Sequence, residues 1–246
     1  MSNVAVHVES DLAVRIARTL LAERAVHIGM FGDSPTGGRV RAVSDLALAD
    51  VLIADHDDLD SELSSEATER DVTIVSAGPQ PEPSDPSRVI VADVANPVHL
   101  ALAAADHQLQ DHREIVHGTA AWTTRGRPLR SGLAATFPEP IGPRWAEEAP
   151  PPPAQYPVVG LSAPIDHEYA AASLRIALGT GDGVEDVTFG IVDHRDFLTA
   201  ALLSAAALAA IDGAYASGVQ SPADLSGVFL EHASRTGLVI GRFERS

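Results

Sequence analysis

Among the residues that follow the predicted strands, the densest polar cluster is Asp55–Asp58, directly after the predicted strand Val51–Ala54. Within it, Asp55 and His56 are candidates for catalysis, because a carboxylate beside an imidazole can act as an acid–base pair or hold a divalent cation. An EF-hand is excluded, since Asp60 stands at the sixth loop position, where that motif needs glycine. The alternative interpretation is a solvated turn whose acidic residues cap the next helix.

A third candidate for catalysis is His117, which lies in a segment predicted to be extended. His107 and His112 precede it at intervals of five residues, a spacing that spreads side chains around a helix instead of aligning them. No thiolate or nearby carboxylate pair completes a zinc site, so we predict no metal site. The alternative interpretation of all three is a surface or strand histidine.

The first strand–helix–strand segment has the pattern of a dinucleotide-binding fold. Residues 4–8 alternate as in a strand, residues 12–20 place apolar side chains on one helix face, and a second strand over residues 25–32 ends at Asp33. Asp33 follows Asp11 by 22 positions, near the offset of the ribose-binding acid in the Rossmann fingerprint. Asp33 is therefore a candidate for binding a ribose diol. The alternative is an Asx turn before Ser34 and Pro35.

Three further residues are candidates for binding a cofactor, which we predict to be NAD or NADP. Ligands of open α/β sheets bind beyond the carboxyl ends of the strands, where Ser10 and Gly78 follow predicted strands. Arg39, close after Asp33 and followed by Arg41, could hold a 2′-phosphate, which would favour NADP. The alternative for both arginines is a solvated charge.

The turn between the first strand and the first helix contains no glycine. In the Rossmann fingerprint, glycines at this turn let the backbone approach the pyrophosphate, whose charge the helix N-terminus stabilises. Here Glu9 and Asp11 place carboxylates at the same point. We expect them to repel a diphosphate.

The composition excludes several classes of chemistry and partner. The chain has neither lysine nor cysteine, and all 17 of its basic residues are arginine. Schiff-base chemistry, a P-loop lysine and thiolate nucleophiles are therefore excluded. The net charge of −17 argues against nucleic acid and anionic membranes as partners and leaves a small-molecule ligand. With no visible signal peptide or spanning apolar run, we expect a cytoplasmic protein.

Strand and helix patterns alternate over residues 1–111, which predicts an α/β fold with a Rossmann-like doubly wound parallel sheet. Residues 112–195 are predicted to form a second, α+β domain, in which Tyr169–Leu178 is predicted to be helical. Residues 196–246 are predicted to be C-terminal helices that pack back on the first domain.

Two segments near the C-terminus have recognisable patterns. Asp193–Leu202 begins as a polar turn with an arginine and an aspartate and continues as an Ala/Leu helix. Ala216–Asp224 contains a Gly-Val-x-x-Pro stretch before the last helix. With Ser131-Gly132 and Phe137–Gly142, these segments resemble the saccharopine-dehydrogenase-like oxidoreductases. The resemblance implies an NAD(P)-binding Rossmann domain and an inserted substrate or dimerisation domain. It also implies hydride transfer with a small carbonyl, imine or amino-acid-derived substrate. We also predict a homodimer. The alternative hypothesis is a non-redox binding or partner protein that has lost its dinucleotide site.

Overall fold

The structure, a computed structural model, describes residues 2–24, 26–32, 36–54, 61–78, 87–109, 114–122, 169–180 and 183–245. The chain divides into two compact units. The first unit combines residues 1–95 with residues 196–238, and the second combines residues 96–195 with residues 239–246. Within the described ranges, every helix is too short or too polar to cross a membrane.

The first unit is built on a seven-stranded sheet in which every strand pairing is parallel. Its strands are β1 (Asn3–His7), β2 (His27–Met30), β3 (Val40–Ala42), β4 (Val51–Ala54), β5 (Thr73–Ser76), β6 (Val89–Val91) and β10 (Gly218–Gln220). Their order across the sheet is β10-β6-β5-β4-β1-β2-β3. This is the Rossmann strand order, with the late strand β10 as one edge. The predicted α/β fold with a doubly wound parallel sheet is confirmed.

The central strands form because their side chains are apolar on both faces. All residues of β4 are buried, as expected for a parallel strand covered on both sides. Leu52 in this strand is 0% exposed and belongs to a core cluster with Ala5, Leu46 and Ile74. The β4 boundaries agree with the sequence prediction, whereas the short edge strand β3 was not predicted.

The helices of the first unit are α1 (Ser10–Glu23), α2 (Ser61–Glu69), α4 (Arg195–Ile211) and α5 (Ser226–Arg235), the last preceded by a 3₁₀ turn over Pro222–Leu225. In α1 the buried residues Ala13, Ile16, Ala17 and Leu20 recur with helical periodicity. By contrast, α4 is buried on nearly all sides, in agreement with its Ala/Leu sequence. Gly237 has a φ of +90° just after α5, the left-handed conformation that ends helices at glycine.

The second unit contains a four-stranded antiparallel sheet. Its strands are β7 (Glu114–Trp122), β8 (Tyr169–Thr180), β9 (Gly183–His194) and β11 (Gly241–Arg245), in the order β11-β9-β8-β7. The helix α3 (Val98–Leu109) lies against β8 and β9. Phe189 of β9 is among the fully buried side chains.

The prediction that Tyr169–Leu178 is helical is wrong, because this segment lies in β8. It pairs antiparallel with β9 from Tyr169 opposite His194 to Thr180 opposite Gly183. Its alanines favour a helix in isolation, but pairing along the whole hairpin overrides that preference. Leu174 and Ile176 are buried, whereas Ser173 and Arg175, which alternate with them, are only half-buried.

Candidate functional site

The strand order defines a switch point between β1 and β4. The chain runs outward from β1 through β2 to β3 and then returns to place β4 on the other side of β1. In open α/β sheets, ligands bind in the crevice beyond the carboxyl ends of the two strands at such a point. His7 and Ala54, which are paired in register, end these two strands. The candidate site therefore lies beyond His7, where the chain enters α1.

The junction between β1 and α1 consists only of Val8 and Glu9. Glu9 is the N-cap residue of α1, with φ −47° and ψ 139°, and its side chain makes no capping hydrogen bond. The first intrahelical bond runs from Ala13 N to Glu9 O, at 2.8 Å. The amide groups of the first turn therefore have no partner inside the helix.

The side chains around these amide groups are acidic and open to solvent. Glu9, Ser10 and Asp11 are all exposed, whereas Val8 is buried. A carboxylate in the first turn of a helix stabilises the positive end of the helix dipole. Asp11 thus already supplies the negative charge that a bound phosphate would otherwise bring.

His7 is a residue of the site that the sequence analysis did not identify. Its imidazole ring lies 5.1 Å from the ring of Phe31, measured between centroids and tilted by 46°. The Nδ1 atom of His7 is buried and has no hydrogen-bond partner among the residues that the structure describes. Such a group is rare in folded proteins and calls for an explanation. A polar residue at the carboxyl end of the first strand is the sequence signal that could have identified it.

Three of the predicted cofactor-binding residues are described by the structure, and they lie at different ends of the strands. Ser10 begins α1 beyond β1, and Gly78 follows β5, where its carbonyl oxygen accepts a hydrogen bond of 2.8 Å from Asp93 N. Both residues therefore lie at the carboxyl ends of the strands, but β4 separates the two strands β1 and β5. Arg39 precedes β3 and is exposed, and its carbonyl oxygen accepts a bond from Ile28 N. Arg39 therefore lies at the amino ends of the strands.

Three of the remaining candidates lie outside the described residues, and the fourth belongs to the second unit. Asp33, Asp55 and His56 lie outside the described residues. His117 lies in β7 of the second unit, opposite Ala177 of β8. Among the described residues, no three His, Cys, Asp or Glu side chains are grouped as a metal site requires.

A second polar cluster joins the carboxyl ends of α1 and α4 to α5. The carboxylate of Asp212 accepts a hydrogen bond from the guanidinium of Arg24 and lies 3.0 Å from Nε2 of the buried His232. Arg24 holds the pKa of the Asp212 carboxyl below its ordinary value of 3.8, chiefly through this hydrogen bond. The cluster borders a polar cavity of about 220 Å³, and its hydrogen bonds link the ends of these helices.

This link predicts a contribution to stability that depends on pH. Because the pKa of Asp212 is lowered in the folded state, the stabilisation is present above pH 3.8 and is lost as the pH falls below it. Asp212 is partly exposed, so we expect Asp212→Asn to reduce the free energy of unfolding at pH 7 by roughly 1 kcal/mol or less. Urea unfolding at pH 7 and in steps down to pH 2.5 measures this loss.

Arg24→Gln should reproduce most of the effect, because Arg24 supplies the main stabilising contact. Arg18→Gln removes an exposed charge from the same helix and serves as the control. An unchanged difference between wild type and Asp212→Asn from pH 7 to pH 2.5 would contradict the prediction.

Comparison with known proteins shows a likeness in fold. No protein-family model and no curated protein matches the chain. Among solved structures, the chain is similar to apo saccharopine dehydrogenase (L-Glu forming) from Saccharomyces cerevisiae, with 10% sequence identity, 100% of each chain covered and a TM-score of 0.59. At this identity the two proteins share a fold, and the resemblance expected from the sequence is supported at that level.

Proposed function

We propose that this protein binds a neutral or cationic small molecule at the switch point of a Rossmann-like scaffold and does not bind the diphosphate of a dinucleotide there. The observation that carries the proposal is the acidic, glycine-free junction between β1 and α1. The residues of this junction do not fit NAD or NADP, although the strand order around them is the one that holds those cofactors in other proteins.

Electrostatic repulsion is the first reason for the misfit. Two unit charges 4 Å apart interact with about 1 kcal/mol in water and about 4 kcal/mol near a protein surface. A pyrophosphate beside the first turn of α1 would approach both Glu9 and Asp11. A helix N-terminus contributes only about 0.3–1 kcal/mol in an exposed setting, which is too little to offset two carboxylates.

Steric access is the second reason. Glycines in a dinucleotide-binding turn let the backbone come close to the phosphates. Here Val8 and Glu9 carry side chains at that turn, and the buried Val8 is part of the packing below it. The same acidic groups favour an amine or another hydrogen-bond donor over an anion.

A second candidate function is that of an NAD(P)-dependent oxidoreductase acting on a small carbonyl, imine or amino-acid-derived substrate. It is favoured by the Rossmann strand order and by the likeness to saccharopine dehydrogenase over the whole chain. A homodimer remains a prediction under either function, and light scattering tests it.

Titration with NAD, NADH, NADP and NADPH separates the two candidates. A ligand that binds only the folded state adds about 2.7 kcal/mol to the free energy of unfolding when its concentration is 100 times its Kd. The unfolding temperature rises as a result. We expect no saturable thermal shift and no change in nicotinamide fluorescence at about 1 mM ligand. This concentration would nearly saturate any site whose Kd is below about 0.1 mM. Saturable binding of any of the four would overturn the proposal and support the oxidoreductase.

A further inference from the structure

A cavity of about 130 Å³ opens on one face of the β1–β2–β3 part of the sheet. It lies beside the amino-terminal half of β1, Asn3–Ala5, and so at the opposite end of that strand from the switch point. Residues 43–49, which connect β3 to β4, form its other wall. Of the residues considered above for binding a cofactor, Arg41 lines this cavity, whereas Ser10, Arg39 and Gly78 do not.

The cavity exists because the connection from β3 to β4 contains no helix and the side chains facing it are small. Residues 43–50 cross the sheet as turns and irregular chain. Ala5 and Ala49 leave open space between this connection and the sheet, and Gly29 lets the Val43 side chain lie close against the sheet. At Gly29 a Cβ atom would come within 2.8 Å of Val43 Cγ1, so a larger residue there would push the connection outward.

The wall formed by the connection is fixed in place without a ligand. Leu46 is 1% exposed and anchors it in the core, and Leu46 N donates a hydrogen bond of 3.0 Å to Glu66 Oε1. Ala47 N donates to Asp45 Oδ1 at 2.9 Å, and Ala49 N donates to Leu46 O at 3.0 Å. The cavity is therefore preformed, as small-molecule sites usually are.

The chemistry of the walls indicates the class of ligand. The lining is mainly apolar, and Leu48, which is 72% exposed, stands at the mouth. The side chain of Arg41 also lines the cavity, and it has no hydrogen-bond or ion-pair partner among the described residues. Asp45 lines the cavity as well, and its Oδ1 atom accepts a hydrogen bond from Ala47 N at 2.9 Å. In a protein of net charge −17, a guanidinium beside an apolar cavity favours an anion with an apolar body.

We propose that this cavity binds a small apolar carboxylate, such as a monocyclic aromatic acid or a short-chain fatty acid. A dry apolar cavity of about 150 Å³ accommodates benzene, so the space beside Ala5 and Gly29 suits one ring or a chain of similar volume. The carboxylate would remain at the mouth and accept hydrogen bonds from Arg41. Leu48 would cover the apolar body from the solvent side. This site is independent of the function proposed for the switch point.

Benzoate is the probe for this proposal, titrated into the full chain and followed by heteronuclear NMR and calorimetry. We expect saturable binding, with shifts of the amide signals of residues 43–49. Arg41→Gln should weaken binding at least tenfold, whereas Arg39→Gln, which removes the neighbouring exposed arginine, should leave it within about twofold. Benzyl alcohol, which has the ring without the charge, should bind at least tenfold more weakly than benzoate.

Two variants test whether the ligand enters the cavity. Ala49→Leu fills the space and should abolish binding, and Leu48→Gln changes only the mouth and should weaken binding several-fold without disturbing the core. Circular dichroism checks that each variant is folded. The proposal is overturned by absence of saturable binding, by equal losses in Arg41→Gln and Arg39→Gln, or by undiminished binding in both cavity variants.

Discussion

The variant Glu9→Gly/Asp11→Asn is expected to bind NADH at least about 30-fold more tightly than the wild-type protein, which corresponds to about 2 kcal/mol. The gain comes from removing two carboxylates that face the position of the diphosphate, each contributing roughly 1 kcal/mol or more of repulsion. Glycine is acceptable at the N-cap position of α1, and asparagine keeps the shape of Asp11. Quenching of protein fluorescence and thermal shift measure the gain.

The matched control is Glu69→Gln/Asp71→Asn. It removes the same number of carboxylates at the same spacing, and both side chains are exposed at the carboxyl end of α2. Because that helix end leads into the amino end of β5, the control changes the net charge without changing the switch point. A similar gain in both double variants would show that net charge, and not the β1–α1 junction, keeps the dinucleotide away. No gain in Glu9→Gly/Asp11→Asn would show that sterics dominate.

Leu52→Ala should produce the largest loss of stability among the changes considered. Leu52 is 0% exposed in the central strand β4 and belongs to the core cluster on one face of the sheet. Truncation of a buried leucine removes transfer free energy and leaves a cavity, which costs about 2–5 kcal/mol. Chemical denaturation, with the unfolding midpoint converted through the m-value, measures the loss.

Leu48→Ala makes the same chemical change at a side chain that is 72% exposed and is the matched control. We expect it to change the free energy of unfolding by no more than about 0.5 kcal/mol. If the two variants lose comparable stability, the packing described for β4 is wrong.

The parallel sheet could be predicted because its central strands carry their own signal. Val51–Ala54 is apolar throughout and ends at a run of acids, so both its burial and its boundaries are encoded locally. The two short outer strands β3 and β10 carry no such signal. They form strands because they hydrogen-bond to a neighbouring strand, and this pairing cannot be recognised from the local sequence.

The candidate site could be predicted only in part. The acidic junction at Glu9 and Asp11 is visible in the sequence because it occupies the position of a known glycine motif. The contact between His7 and Phe31 was not predictable, because it depends on the pairing of β1 with β2. The cavity beside Gly29 was equally hidden, since small residues indicate an empty space only when the wall that faces them is known.

The position of β10 constrains how this protein can be made. β10 completes the sheet beside β6, yet most of the second unit lies between these two strands in the chain. During synthesis, the apolar strand Val89–Val91 therefore keeps an unpaired edge until Gly218–Gln220 has left the ribosome. Exposed edges of this kind attract other chains. Chains that end between β6 and β10 should accordingly aggregate or bind chaperones.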